Sequence, residues 1–175
     1  MTNKTEIQSL AFRELTFDDL DAVAAIEASV APSPWSRTLF EGELSLPAGQ
    51  RLWLVAQQAD QVVGFAGVMF VGDDVHVMNI AVAPNFQRQG IARRLLATVL
   101  RRSVVSGARH ATLEVRDGND AAIELYRRFR LGPVGIRNSY YEDGEDALIL
   151  WAHDIHLPSY IKLLDRLALP REAIQ

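Results

Sequence analysis

A polar, glycine-punctuated turn runs directly into arginines and leucines in the stretch NFQRQGIARRLL, residues 85–96. A helix starting here offers backbone N–H groups that have no intrahelical partner, at the positive end of its dipole. Gly90 removes side-chain bulk and Ala92 keeps it small, so a pyrophosphate could come close to the backbone. Alternatively, Gly90 only eases a turn into an ordinary helix. Other phosphate-binding patterns fit worse. There is no Gly-Lys-Ser/Thr and no Gly-x-Gly-x-x-Gly.

A second group lies in LEVRDGNDAAIELYRRF, residues 113–129. Glu114 alternates with Leu113 and Val115 on a strand-like run and therefore faces away from them. Asn119 is placed to cap the following helix, and Tyr126 lies two turns along it. A carboxylate and a phenol from adjacent elements can converge at one end of a sheet, where they suit proton acceptance and donation. Each also has a plain structural role open to it: a solvated strand glutamate and a half-buried core tyrosine. His76, His110, His153 and His156 lack metal-ligand spacing, so no metal site is expected.

The elements that must position these groups follow from periodicity. LAFREL (10–15) reads as a strand. Thr16 is placed to cap a helix in FDDLDAVAAIEASV, with Asp18, Asp19 and Asp21 in its first turn. Two prolines in APSPWS break it, and Ser36 can cap a shorter helix in RTLFEGELSL. RLWLVAQQ, VVGFAGVMFV and VHVMNIAVAP form three strands in succession. A long helix over roughly 88–106 follows, with Arg93, Arg94, Arg101 and Arg102 spaced to face outward. HATLEVR is a strand and NDAAIELYRRF a helix. VGIRNSYY and DALILWA form a closing hairpin. A helix is expected after Pro158 in the tail 154–175, an extension of a main domain over 1–153; its apolar stripe could pack on that domain or bind a partner. The central strand–helix–strand unit favours a parallel pair and the hairpins favour antiparallel pairing. The expected class is α+β: a mixed sheet with helices on its faces.

Composition narrows the function. The 175 residues suit one domain with a sizeable core. A formal net charge of −4 gives no basis for a nucleic-acid surface. The absence of cysteine excludes thiol nucleophiles and disulfide scaffolds and fits a reducing compartment. The polar N-terminus has no apolar signal region, and no apolar run is long enough to span a bilayer. A cytoplasmic protein without a membrane partner is expected, with a monomer favoured.

NIAVAPNFQRQGIARRLL, followed by LEVRDGNDAAIELYRRF and GIRNSYYEDGEDALIL, resembles the GNAT acetyltransferase superfamily. The resemblance covers about residues 10–152. Within the superfamily the chain is most similar to ribosomal-protein-alanine N-acetyltransferases. This implies a mostly antiparallel seven-stranded sheet whose central parallel strands, here 75–83 and 109–116, splay apart to admit acetyl-CoA. The pantetheine would pair with the backbone of Ile80, Ala81 and Val82. The pyrophosphate would sit on Arg88, Gln89, Gly90, Ile91 and Ala92. Asn119 would contact the cofactor, and Arg93 or Arg94 could meet its 3′-phosphate. Glu114 would be the general base and Tyr126 the general acid. Arg137, Tyr140 and Tyr141 would close over a peptide, with Trp35 as the other wall or simply core. The implied partner is a protein N-terminus, that of the eighteenth small-subunit ribosomal protein with its N-terminal alanine. Two alternatives stay open: a lysine or small-amine acceptor, and a non-catalytic acyl-CoA-binding module. One departure stands out. Arg130 occupies the place of the usual helix-ending glycine, so either Arg130 takes the left-handed conformation or the chain turns at Gly132-Pro133.

Overall fold

The computed structural model describes residues 9–170. Seven strands form one sheet: β1 (Leu10–Glu14), β2 (Arg51–Gln58), β3 (Gln61–Val71), β4 (Asp74–Val82), β5 (His110–Arg116), β6 (Gly132–Arg137) and β7 (Ala147–Ala152). Five helices accompany them: α1 (Leu20–Val30), α2 (Arg37–Leu44), α3 (Ile91–Val105), α4 (Asp120–Arg128) and α5 (Pro158–Ala168). The strand order is β1-β2-β3-β4-β5-β7-β6. Every pair is antiparallel except β4 with β5. That parallel pair is joined only over Asp74–His76 against His110–Thr112, and beyond it the strands diverge. The gap is the architectural feature on which the site depends.

Alternation along the strands sends side chains into two cores. Leu54 and Ala56 of β2 join Leu95, Leu96, Val99 and Leu100 of α3 on one face. Trp53 and Val55 point to the other, where Leu20, Val23 and Ile26 of α1 and Phe40 of α2 cover them. Gly67 makes the second core possible. It lies opposite Trp53 in the β2–β3 register, and a Cβ there would stand 2.2 Å from the indole ring. Gly67→Ala is therefore expected to destabilise the fold by about 1–3 kcal/mol or more, through overpacking. The measurement is the shift in urea midpoint, and an unchanged midpoint would contradict this packing.

The start of α1 differs in detail from expectation. Residues Phe17–Asp19 form a short 3₁₀ turn ahead of it. Thr16 also donates there: the Asp19 carboxylate accepts from the Thr16 N–H at 2.8 Å and from its hydroxyl at 3.0 Å. The Arg13 guanidinium grips both Asp19 oxygens at 2.7 and 2.8 Å. The hydrogen bond from Arg13 is the main reason the Asp19 carboxyl is held below its ordinary value, against the opposing effect of burial. A depressed carboxyl contributes stability that is complete above its unfolded-state pKa and is lost as pH falls through the folded-state value. Wild-type stability should thus fall from about pH 4 downward, with a shallower fall in Asp19→Asn. Urea midpoints measured across that window check the difference.

Two boundaries moved for physical reasons. Helix α3 starts at Ile91, because Arg88 and Gly90 both adopt positive φ, 62° and 82°. Strand β6 stops at Arg137 instead of running through Tyr141. Ser139 takes φ 50°, and the loop closes on itself: Ser139 N–H donates to Asp146 at 2.7 Å and Tyr141 N–H to Glu145 O at 3.1 Å.

Helix α5 packs into the first core through Tyr160, Leu163, Leu164 and Leu167. Its docking corrects the outward placement expected for Arg93 and Arg94. Arg93 is only 5% exposed and donates to the carbonyls of Leu167 and Leu169. Arg94 donates to Ala168 O at 3.0 Å and lies over the Phe12 ring. The carbonyls at the end of α5 attract cations, which sequence periodicity in α3 alone does not reveal. Arg130 takes φ 56°, the first of its two options. Leu131 N–H donates to Tyr126 O at 3.2 Å, closing α4 as a glycine would, at a cost of about 1–2 kcal/mol. The Tyr160 hydroxyl donates to Phe129 O beside this turn, so α5 also braces the end of α4.

Candidate active site

Three hollows follow the divergence of β4 and β5. The first, about 440 Å³, lies at the start of α3 among Val82, Gln87, Arg88, Gly90, Ile91 and Ala92. The second, about 470 Å³, occupies the gap and is lined by Asn79, Ile80, Ala81, Val82, Asn119 and Tyr126. The third, about 740 Å³, holds Trp35, His76, Met78, Glu114 and Tyr140. Val82, Gln87 and Ala92 border both the first and the second, and Tyr141 borders both the second and the third. A larger hollow, about 830 Å³, lies by Glu43, Pro47, Asp73 and Gly107 at the start of β4. It contains none of the candidate residues.

The first hollow is an anion cradle in form. Arg88 and Gly90 are both left-handed, and left-handed residues in a turn are the conformation from which backbone amides form anion-binding concavities. The first α3 bond runs from Arg94 N–H to Gly90 O at 3.1 Å, so the amides of Ile91 and Ala92 precede it. The side-chain amide of Gln87 donates to Val82 O at 3.0 Å and that of Gln89 to Asn85 O at 3.3 Å. These bonds hold the loop against the end of β4. The Arg93 side chain points to α5, which leaves its place near the cradle to its backbone.

The second hollow has a backbone edge as one wall. Ala83 N–H donates to Val63 O at 2.9 Å, so by alternation Ala81 also faces β3. Ile80 then presents its N–H and C=O groups to the gap and Val82 its N–H, the Val82 carbonyl already accepting from Gln87; Ala81 does not face the gap. The register jumps from Gly67–Asn79 to Val68–Val77. Met78 is the extra residue of a bulge, which bends the strand as it leaves β5. Asn119 caps α4 by accepting from Ala122 N–H at 3.1 Å. Tyr126 is 7% exposed. Burial raises its phenol well above the ordinary tyrosine value, with the neighbouring Tyr141 adding to the effect. It therefore stays protonated throughout the physiological range.

The third hollow is bounded by Trp35 and the tyrosine pair. Trp35 belongs both to the packing of the second core and to the lining of this hollow. Its ring packs on Phe40 and Trp53 at 5.4 and 5.8 Å and also lines the hollow. Tyr141 is clamped by the Arg116 guanidinium, 3.9 Å above its ring. Arg116 is in turn held by Asp143 and Glu145, both at 2.7 Å. Burial raises the Tyr141 phenol and Arg116 opposes that. Tyr140 is about half exposed and meets Tyr141 edge-on at 5.1 Å. Arg137 reaches Glu114 Oε1 at 3.4 Å.

Two residues escaped sequence reasoning. His76 Nε2 lies 2.7 Å from Glu114 Oε2. The pairing of His76 with Thr112, two residues before Glu114, brings them together, and no local pattern signals it. Glu27 is 3% exposed and accepts from Trp35 N–H at 3.2 Å and Asn79 Nδ2 at 3.1 Å. It ties the loop after α1 to β4. Its signal was present: Glu27 stands one helical turn after Val23, on the apolar face.

Residues 17–130, which carry the cradle, the diverging strands and α4, match the acetyltransferase (GNAT) family. The [ribosomal protein bS18]-alanine N-acetyltransferase of Salmonella typhimurium is 36% identical over 140 residues, spanning 78% of this chain and 92% of that protein. The N-alpha-acetyltransferase RimI of Mycobacterium tuberculosis is 36% identical over 156 residues, 84% of this chain and 93% of that one. The crystal structure of the ribosomal-protein-S18-alanine N-acetyltransferase from Escherichia coli matches with a TM-score of 0.76 at 33% identity, covering 83% of this chain and 94% of its own. The same mixed sheet and parallel pair underlie this match, and the chain belongs to the GNAT family of acetyltransferases.

Proposed function

We propose that this acyltransferase moves an acetyl group from acetyl-CoA to the N-terminal α-amine of a protein, the alanine of ribosomal protein bS18 being the foremost candidate. The observation that carries the proposal is the order of the three hollows: anion cradle, exposed strand edge with Tyr126, then Glu114 between aromatic walls. The residues fit acetyl-CoA. The cradle amides at 88–92 suit its pyrophosphate. Ile80 and Val82 suit its pantetheine amides as an added strand. Asn119 borders the same slot.

The chemistry requires a neutral amine, and an α-amine has a reference pKa of about 8. The Glu114 carboxylate drives the loss of the amine's proton, which leaves through a water. The nitrogen lone pair then forms a bond to the thioester carbonyl carbon. A backbone N–H at the β4 bulge stabilises the resulting oxyanion. As the C–S bond breaks, the Tyr126 hydroxyl passes its proton to the departing sulfur, and the second proton of the attacking nitrogen, shed as the amide forms, returns to Tyr126 through water. Tyr140, Tyr141 and Trp35 bound the groove in which the peptide lies.

The test is acetyl transfer to free-N-terminal Ala-, Ser- and Met-starting peptides and an N-blocked peptide carrying one lysine, with the acetyl group located by mass spectrometry. Label on α-amines is expected. Label on lysine alone would keep the enzyme and reject the N-terminal assignment. Acetyl-CoA binding without transfer to any peptide would point to a small amine or to a binding module.

A further inference from the structure

We infer that Glu114 does not accept the amine's proton alone: His76 and Glu114 act as one unit, in which the imidazole receives the proton and the carboxylate holds the imidazole. The inference rests on the reading of the third hollow as the acceptor groove and deepens it.

The two side chains come from strands that have just parted, and both line that hollow. Glu114 Oε2 is 2.7 Å from His76 Nε2. A contact this short between an imidazole nitrogen and a carboxylate oxygen places a proton between them. In the neutral imidazole a proton facing the carboxylate sits on Nε2, which makes Nδ1 the basic nitrogen. A carboxylate that fixes the tautomer of a histidine and offsets its charge is a recurrent way to build a base. The surroundings agree. The His76 side chain is 27% exposed and that of Glu114 13%, so the imidazole is the more accessible partner. Arg137 of β6 approaches the other carboxylate oxygen, Oε1, at 3.4 Å. Tyr141, from the loop after β6, is the further titratable group that senses Glu114, and Tyr140 lines the same hollow.

In the step so defined, the α-amine N–H bond breaks and a proton passes to His76 Nδ1, directly or across one water. The amine lone pair forms the new bond to the acetyl carbon. The imidazolium is balanced by Glu114, whose own protonation does not change. His76 gives the proton to solvent as the product amide departs. The ammonium form gives up two protons in all: the imidazole gains and releases the first, the second leaves the nitrogen after its attack and replaces the proton that Tyr126 gives to sulfur, and no oxidant or further reactant is needed.

The kinetic test is His76→Ala assayed with the best peptide of the panel. The expected result is a kcat about 10²-fold lower, an unchanged KM for acetyl-CoA, and partial recovery when free imidazole is added. A kcat close to wild type would overturn the inference. So would a loss that His76→Gln fully restores and imidazole does not, since that assigns His76 to packing. A second arm needs no acceptor, and so separates failure of this pair from failure of the acetyl-transfer reading. Nitrogen-15 spectra of histidine-labelled protein should show neutral His76 with its proton on Nε2, a preference lost in Glu114→Ala. A proton on Nδ1 in the wild type would sink the pair even if acetylation is confirmed.

Discussion

Tyr126→Phe is expected to lower kcat by about 10²–10⁴ while leaving the KM for acetyl-CoA and the urea midpoint close to wild type. The substitution removes one oxygen from a ring that otherwise stays in the core. Binding is expected to survive, because loss of one phenol oxygen leaves the cradle at 88–92 and the backbone of Ile80 and Val82 unchanged. Catalysis is expected to suffer, because expelling a thiolate into this slot without a donor leaves its charge in a site that burial has made poorly solvating. The same burial raises the Tyr126 phenol and so keeps the donor protonated. A phenol this weakly acidic acts as a hydrogen-bond donor to the developing thiolate, and its proton moves to sulfur only as the proton shed by the attacking nitrogen replaces it. Steady-state kinetics with both substrates varied separate these effects. A raised KM with unchanged kcat would instead make Tyr126 part of the binding wall.

Glu114→Gln is expected to cost about 10²–10³ in kcat/KM near neutral pH, with a deficit that narrows as pH rises. The direction follows from the acceptor. Below its reference pKa of about 8 an α-amine is mostly protonated and needs a base. Above it the amine is already neutral, and the missing carboxylate matters less. Glutamine keeps the volume and a carbonyl for Arg137 and His76, so the fold should hold. Rate profiles of the two proteins over a pH series provide the check. A constant ratio at all pH values would remove Glu114 from proton transfer and leave it as a structural anchor for Arg137.

Much of this architecture was legible from local pattern. Apolar alternation located the strands, prolines and caps ended the helices, and Ser36 and Asn119 cap as their positions imply. Resemblance to the GNAT superfamily supplied what pattern could not: the splay of β4 from β5. What stayed hidden depends on contacts across long stretches of chain. Arg93 reads as a surface residue on its own helix and is buried because the α5 carbonyls, 74 and 76 residues away, receive it. His76 reads as an isolated histidine until strand pairing sets it beside Glu114. Ala81 was expected to share in ligand pairing with Ile80 and Val82, yet the β3 register turns its backbone away. The shortened β6 reflects loop hydrogen bonds around Glu145 and Asp146 that strand propensity cannot report.

The central claim, transfer to a protein α-amine, is tested most directly on an intact protein. Purified, unacetylated bS18 would be incubated with the enzyme and acetyl-CoA, then examined by intact mass and N-terminal peptide fragmentation. The account predicts one acetyl group, on the α-amine of the N-terminal alanine, absent when Tyr126→Phe replaces the wild type over the same interval. Acetylation confined to lysine side chains, or none despite acetyl-CoA binding, would contradict it.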